Sequence, residues 1–203
     1  MNNLWKSGTQ KAFYGYAGQL LIGIVGGFIL GLMEPDLVEL AMGEGTGYYV
    51  MSIIVGIASV AAWAYYFIGI KEMKEAAANT NMAAGTNRLY VACLILLGAA
   101  ALGLCLDFFS DLESILAALV LFVIAELVGF ILTWTGYSMV KNSATNANAK
   151  SGAELLCTSA LITVIAAAID LIPVLWWLAL IGEIAALYYA FQGWKTLANS
   201  ELE

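Results

Sequence analysis

Residues 153–194, AELLCTSALITVIAAAIDLIPVLWWLALIGEIAALYYAFQGW, form a long apolar stretch whose reading decides the fold. As one straight helix it would run roughly 60 Å, about twice the thickness of a bilayer's hydrocarbon core. Asp170 and Pro173 stand near its centre. A proline is tolerated in the first turn of a helix but breaks an interior one. The stretch is therefore predicted to be two spans joined by a tight turn, with Pro173 starting the second.

Towards the N-terminus the same rule finds four more spans, at about 13–33, 47–70, 89–106 and 115–140. Acidic loops separate them: Glu34, Pro35, Asp36, Glu39 and Glu44 follow the first, and Asp107, Asp111 and Glu113 follow the third. With 62% of 203 residues hydrophobic and 11% charged, the chain has more apolar surface than a water-soluble domain can hide, so lipid must cover the rest. The expectation is an all-α fold, a polytopic membrane bundle of six transmembrane helices forming one membrane domain over 1–203. No length remains for a soluble catalytic domain. The N-terminal MNNLWKSGTQK lacks the layout of a cleaved signal and is expected to remain attached to the first helix.

All eight Lys and Arg fall in four places: Lys6 and Lys11; Lys71, Lys74 and Arg88; Lys141 and Lys150; Lys195. Acids alone occupy the connections between them. By the positive-inside rule this alternation gives an even number of spans and puts both termini on the cytoplasmic side of an inner or plasma membrane. The net charge of −7, with no basic patch, argues against nucleic acid as a partner. Tyr14, Tyr16, Tyr48, Tyr49, Tyr65, Tyr66, Trp134, Trp176, Trp177, Tyr188, Tyr189 and Trp194 cluster near the expected span ends, as a headgroup-level aromatic belt would.

Metal and cofactor chemistry have little to work with. There is no His, and Cys93, Cys105 and Cys157 lie in apolar stretches without metal or redox spacing, so they read as small hydrophobes. No cofactor and no metal is expected. The two inner connections, EAAANTNMAAGTNR and KNSATNANAKSGAE, read as helix extensions and caps. Ser151 with Glu154 has the form of a capping box.

A repeat emerges when the even-numbered spans are aligned. Ile57-Ala58-Ser59, Ile124-Ala125-Glu126 and Ile181-Gly182-Glu183 are each followed, ten residues after the third position, by Gly69, Gly136 or Gly193, and then by Ile70, Tyr137 or Trp194. Gly85 and Gly152 open the next odd-numbered spans, and Gly8-Thr9-Gln10-Lys11 matches Gly85-Thr86-Asn87-Arg88. These registers predict three parallel-repeated helical hairpins, over 8–78, 85–145 and 152–200. Gly23, Gly27 and Gly31 recur every four positions in the first span, a small-residue stripe that suits helix packing within the chain or between subunits.

Glu126 and Glu183 lie ten or eleven residues from the outer ends of their spans, which at helical rise is roughly 15 Å deep, near mid-membrane. An ionised acid there costs on the order of 2.5–3.5 kcal/mol, and no intramembrane Lys or Arg is present to pair with it. If the hairpins close around their axis, Ser59, Glu126 and Glu183 share one depth, and two carboxylates in one dry site keep at least one proton between them. That is the physics of an ion- or proton-binding site. A small-residue helix followed by a helix with a mid-membrane acid resembles the hairpin of the proteolipid subunits of rotary ATPases. Their loop inside the hairpin is polar and cytoplasmic, whereas here it is acidic and outside, so their function is not carried over.

The sequence thus points to a small multi-pass transporter or channel for a proton, cation or small solute, using Glu126, Glu183 and Ser59. It would work in the lipid bilayer as a homo-oligomer or with other membrane subunits. The competing class is a non-transporting scaffold or accessory subunit whose acids and glycine stripes serve packing. An enzyme is not expected, since no nucleophile–base pair or ligand cluster is present.

Overall fold

The computed structural model describes residues 2–34, 46–105, 112–170 and 172–202, and all of its long elements are helices. Pro35, Asp36, Glu39, Glu44, Asp107 and Asp111, expected in the acidic loops, lie outside the described residues. Helix α1 (Asn2–Leu21) runs through one wider turn (Ile22–Gly26) into α2 (Gly27–Met33). Then follow α3 (Thr46–Ala77), α4 (Ala83–Cys105), α5 (Leu112–Ser143), α6 (Ala147–Asp170) and α7 (Trp176–Ala198). The long 153–194 stretch breaks between Asp170 and Pro173, and Pro173 opens a short 3-10 turn (Pro173–Leu175) leading into α7.

Five helical stretches are long and apolar enough to cross a membrane: Asn2–Met33, Thr46–Ala77, Ala83–Leu102, Glu113–Ser143 and Ala147–Ile169. Helix α7 has the length but is not among them. Glu183, Gln192 and its Trp and Tyr residues lower its average apolarity.

The helices reach further than the apolar stretches alone, through the polar residues of the inner connections. Their starts are capped by short polar side chains. Thr80 Oγ1 accepts the Met82 N–H at 3.2 Å, and Asn146 Oδ1 accepts the N–H groups of Asn148 and Ala149 at 3.0 and 3.1 Å. Asn146, then, caps α6, and the capping box expected from Ser151 and Glu154 does not form. Both residues lie inside the helix, where Glu154 accepts a 2.7 Å hydrogen bond from Lys141 Nζ.

Helices pair as neighbours in sequence: α1 with α3, α4 with α5, and α6 with α7. The pairs then join in a ring, α3 against α4, α5 against α6 and α7 against α1. Trp5 Nε1 donates to Ser200 Oγ at 2.9 Å, which ties the two ends of the chain together. Among the described residues no Cα of α3, α5 or α7 comes within 8 Å of another of these three helices. The second helices of the pairs thus face one another across a gap.

Glycine makes each pairing close. A Cβ added to Gly8 would stand 2.8 Å from the Gly69 carbonyl oxygen, one on Gly85 2.9 Å from that of Gly136, and one on Gly152 2.9 Å from that of Gly193. Backbone atoms block each site, so no side chain can move aside. Burial follows the same offsets. Met73, Val140 and Leu197 are each about 1% exposed, and Ala12, Leu89 and Leu156 are buried alongside them. Thr9 and Thr86 are both buried and donate to the carbonyls of Trp5 and Met82, four residues back, at 3.0 and 3.1 Å.

Candidate functional site: a central cavity beside Glu126

A cavity of about 330 Å³ lies in the ring and takes at least one residue from each of α1, α3, α4, α5, α6 and α7. Helix α5 contributes Glu126, Phe130, Thr133 and Tyr137, spaced four, three and four residues apart. That spacing keeps one face of a helix turned in the same direction for about 16 Å. Among the described residues that line the cavity Glu126 is the one charged side chain, and it is exposed.

At the end of the cavity nearest the chain termini, three rings from three different hairpins meet. Tyr66 and Trp194 pack edge to face with centroids 5.5 Å apart, and Tyr137 and Trp194 do so at 6.0 Å. The hydroxyls of Tyr66 and Tyr137 are 3.4 Å apart, at the long end of hydrogen-bond distance. Edge-to-face rings at such separations attract beyond what area burial supplies. These large side chains bridge the gap that the backbones leave open.

The three aliphatic hydroxyls along the cavity share one property. Ser159 Oγ donates to the Ala186 carbonyl at 2.8 Å, Thr133 Oγ1 to Gly129 at 2.8 Å, and Thr163 Oγ1 to Ser159 at 3.1 Å. Each proton is committed to backbone, so each hydroxyl offers lone pairs to whatever enters.

The expected site residues fall in different places. Glu126 lines the central cavity; Ser59 and Glu183 do not. Ser59 donates through Oγ to Gln19 Oε1 at 2.9 Å while Gln19 Nε2 donates to the Ser59 carbonyl, and Ser59 borders a separate, mostly apolar cavity with Trp63, Phe67 and Leu97. Glu183 is exposed on α7. A single dry site shared by both carboxylates is therefore not what the helices build.

The glycine stripe also lies elsewhere than inside the bundle. Gly23, Gly27 and Gly31 are exposed, and a Cβ on any of them would meet nothing within 4 Å. The glycines that pack within the chain include Gly8, Gly69, Gly85, Gly136, Gly152 and Gly193 against backbone, Gly15 against Tyr66, Gly26 against Val55, Gly129 against Leu96 and Gly182 against Ala166. Cys93 is buried and Cys157 half-buried, consistent with apolar packing.

The aromatic layer is what the sequence reading missed. Tyr16, Tyr66 and Trp194 were expected in a headgroup belt, yet all three line the cavity and Trp194 is 1% exposed. The signal for two members was present, since Tyr137 and Trp194 occupy the position after the aligned glycines.

Ion pairs gather at the terminal end. Burial pushes the Glu72 carboxyl up, but hydrogen bonds from Lys11 and Ser7 and the Lys11 charge outweigh it and leave the group below its ordinary 4.5. Among the described residues no group of three His, Cys, Asp or Glu could hold a metal ion.

No protein family, curated protein or solved structure matches this chain.

Proposed function

We propose that this protein is a small membrane transporter that moves a cation through the central cavity, with Glu126 as the charged group that meets it. In this reading the chain crosses the bilayer six times as three parallel copies of one hairpin, with both termini and the basic residues in the cytoplasm. The glycine contacts Gly8–Gly69, Gly85–Gly136 and Gly152–Gly193, made at matching offsets, support the repeat. The joined chain ends support an even number of crossings. Helix α7 then crosses as well, despite its lower apolarity.

One observation carries the functional reading: all six long helices contribute to one cavity whose described lining includes a single charged side chain, the exposed Glu126, and no Lys or Arg. Placed mid-membrane, that acid costs on the order of 2.5–3.5 kcal/mol if ionised against lipid, and a water-filled, cation-accepting cavity removes most of the cost. The aromatic layer of Tyr66, Tyr137 and Trp194 closes the cytoplasmic side in this state. Glu183 holds the corresponding position in the third hairpin, and Ser59, bonded to Gln19, holds it in the first without a charge.

The second reading is a non-transporting membrane subunit, favoured by the empty space beside Gly23, Gly27 and Gly31, where another helix could approach. Access of water separates the two. Thr133→Cys, in a chain lacking the native cysteines, should react with a membrane-impermeant thiol reagent added to the outer face. A folded variant whose introduced thiol stays unreactive would favour the scaffold.

A further inference from the structure

The lining of the cavity speaks to what kind of cation it takes. Three features bear on this. Its single charge is negative, from Glu126, so anions are disfavoured. Its aliphatic hydroxyls, Thr133, Ser159 and Thr163, have committed their protons to backbone carbonyls and present acceptors. Its remaining wall is apolar and aromatic, with Phe130 between the carboxylate and the Tyr137–Trp194 layer.

A bare inorganic cation requires several oxygens converging within about 2.0–2.6 Å of one point. Here the acceptors are strung out instead. Thr133 stands seven residues from Glu126 on the same helix, roughly 10 Å along its axis. Thr163 lines the same cavity, and the repeat register puts it, with Gln19, at the level of Ser59, Glu126 and Glu183, although the Ser59–Gln19 contact itself corresponds to Glu183 and Thr163 within the third hairpin. A carboxylate and one hydroxyl at one end of a largely apolar groove fit the head of an organic cation, with its body lying along Phe130 towards the aromatic layer. Aromatic faces add cation–π attraction to any charge that passes them. The volume of about 330 Å³ is at the low end for small-molecule sites and has no room for a two-chain lipid.

From these features we infer that the cavity is a binding site for a small amphipathic organic ammonium, its N–H donors on the Glu126 carboxylate and the Thr163 hydroxyl and its apolar body against Phe130 and the Tyr137–Trp194 layer. The inference rests on the transporter reading and narrows its substrate class.

The test is calorimetric titration of the full-length protein, purified in dodecyl maltoside, with phenethylammonium, its neutral analogue phenethyl alcohol, the anion phenylacetate, and sodium or potassium chloride as competitor. Saturable binding of phenethylammonium alone is expected, unaffected by either salt beyond an ionic-strength effect. Glu126→Gln should weaken it about tenfold or more, the loss of a charge-assisted hydrogen bond. Thr163→Val, close to isosteric but without the acceptor hydroxyl, should also weaken binding of the ammonium, which keeps the inference testable even if the Glu126 variant fails to fold. Equal binding of alcohol and ammonium, displacement by sodium or potassium at equal concentration, or no binding of phenethylammonium would overturn the inference. Proton or sodium flux in liposomes that depends on Glu126 without ammonium binding would sink this substrate class and leave the transporter reading standing. Absence of any Glu126-dependent flux or binding would remove both.

Discussion

Tyr66 and Tyr137, on helices whose Cα atoms stay more than 8 Å apart, bring their hydroxyls to 3.4 Å from each other. Trp194 packs edge to face against both rings, so one indole couples the second helices of all three hairpins. Removing it should leave a void that rigid backbones cannot close. Trp194→Ala is expected to cost about 3–5 kcal/mol, as large aromatic truncations in packed interiors do. Trp176→Ala, on a residue 61% exposed, should change stability little. Denaturation of both variants in the same detergent checks the contrast, and equal effects would show that the aromatic layer does not hold the ring together.

The glycines divide into two kinds, and substitution should separate them. Gly85→Ala and Gly152→Ala each place a methyl 2.9 Å from a carbonyl oxygen on the paired helix, so each should destabilise by about 1–3 kcal/mol. Gly23→Ala and Gly27→Ala meet open space and should be neutral or stabilising by about 1 kcal/mol, through helix propensity alone. Thermal unfolding of the monomeric protein in detergent reads both. A large loss from Gly23→Ala would mean that another helix occupies that face.

The ion pair of Lys11 and Glu72 makes a pH prediction with a definite sign. Because the folded carboxyl titrates below its ordinary 4.5, its stabilising contribution is complete above that value and disappears as pH falls through the lower folded value. Glu72→Gln should therefore lower stability at neutral pH and have no effect in strong acid. Lys11→Met should flatten the acid limb of the stability profile. An unchanged acid limb would show that the pair contributes nothing.

Topology can be read from two exposed positions at opposite ends of the bundle. Val174 lies in the 3-10 turn and is 79% exposed, and Thr145 precedes the Asn146 cap. In a background without native cysteines, Val174→Cys should label from outside intact cells and Thr145→Cys only after permeabilisation. Labelling of both from outside would contradict the six-span reading.

Much of the fold was legible because the constraints were local. Asp170 and Pro173 break an apolar stretch too long for one crossing, and the glycines aligned by spacing alone are the ones that meet across each hairpin. The inward face of each helix was harder to read. These helices are apolar nearly all round, so no periodic stripe distinguishes a face turned to the axis from one turned outwards. For that reason Tyr66 and Trp194 looked like belt residues, and Gly23, Gly27 and Gly31 looked no different from the glycines that pack. Helical rise alone gave Glu126 and Glu183 their expected depth. Their separation into different surroundings follows from ring closure, which places α5 beside α6 and α7 beside α1, and no feature of either helix alone carries that information.

The central claim is that Glu126 serves a transported cation. Cation uptake into liposomes holding purified protein, driven by an imposed pH or cation gradient, compares wild type with Glu126→Gln most directly. Gln keeps the shape and hydrogen-bonding capacity of the side chain but neither charge nor proton. The account predicts gradient-dependent uptake by wild type, abolished in the folded Gln variant. Undiminished uptake by Glu126→Gln, or none by the wild-type protein, would contradict it.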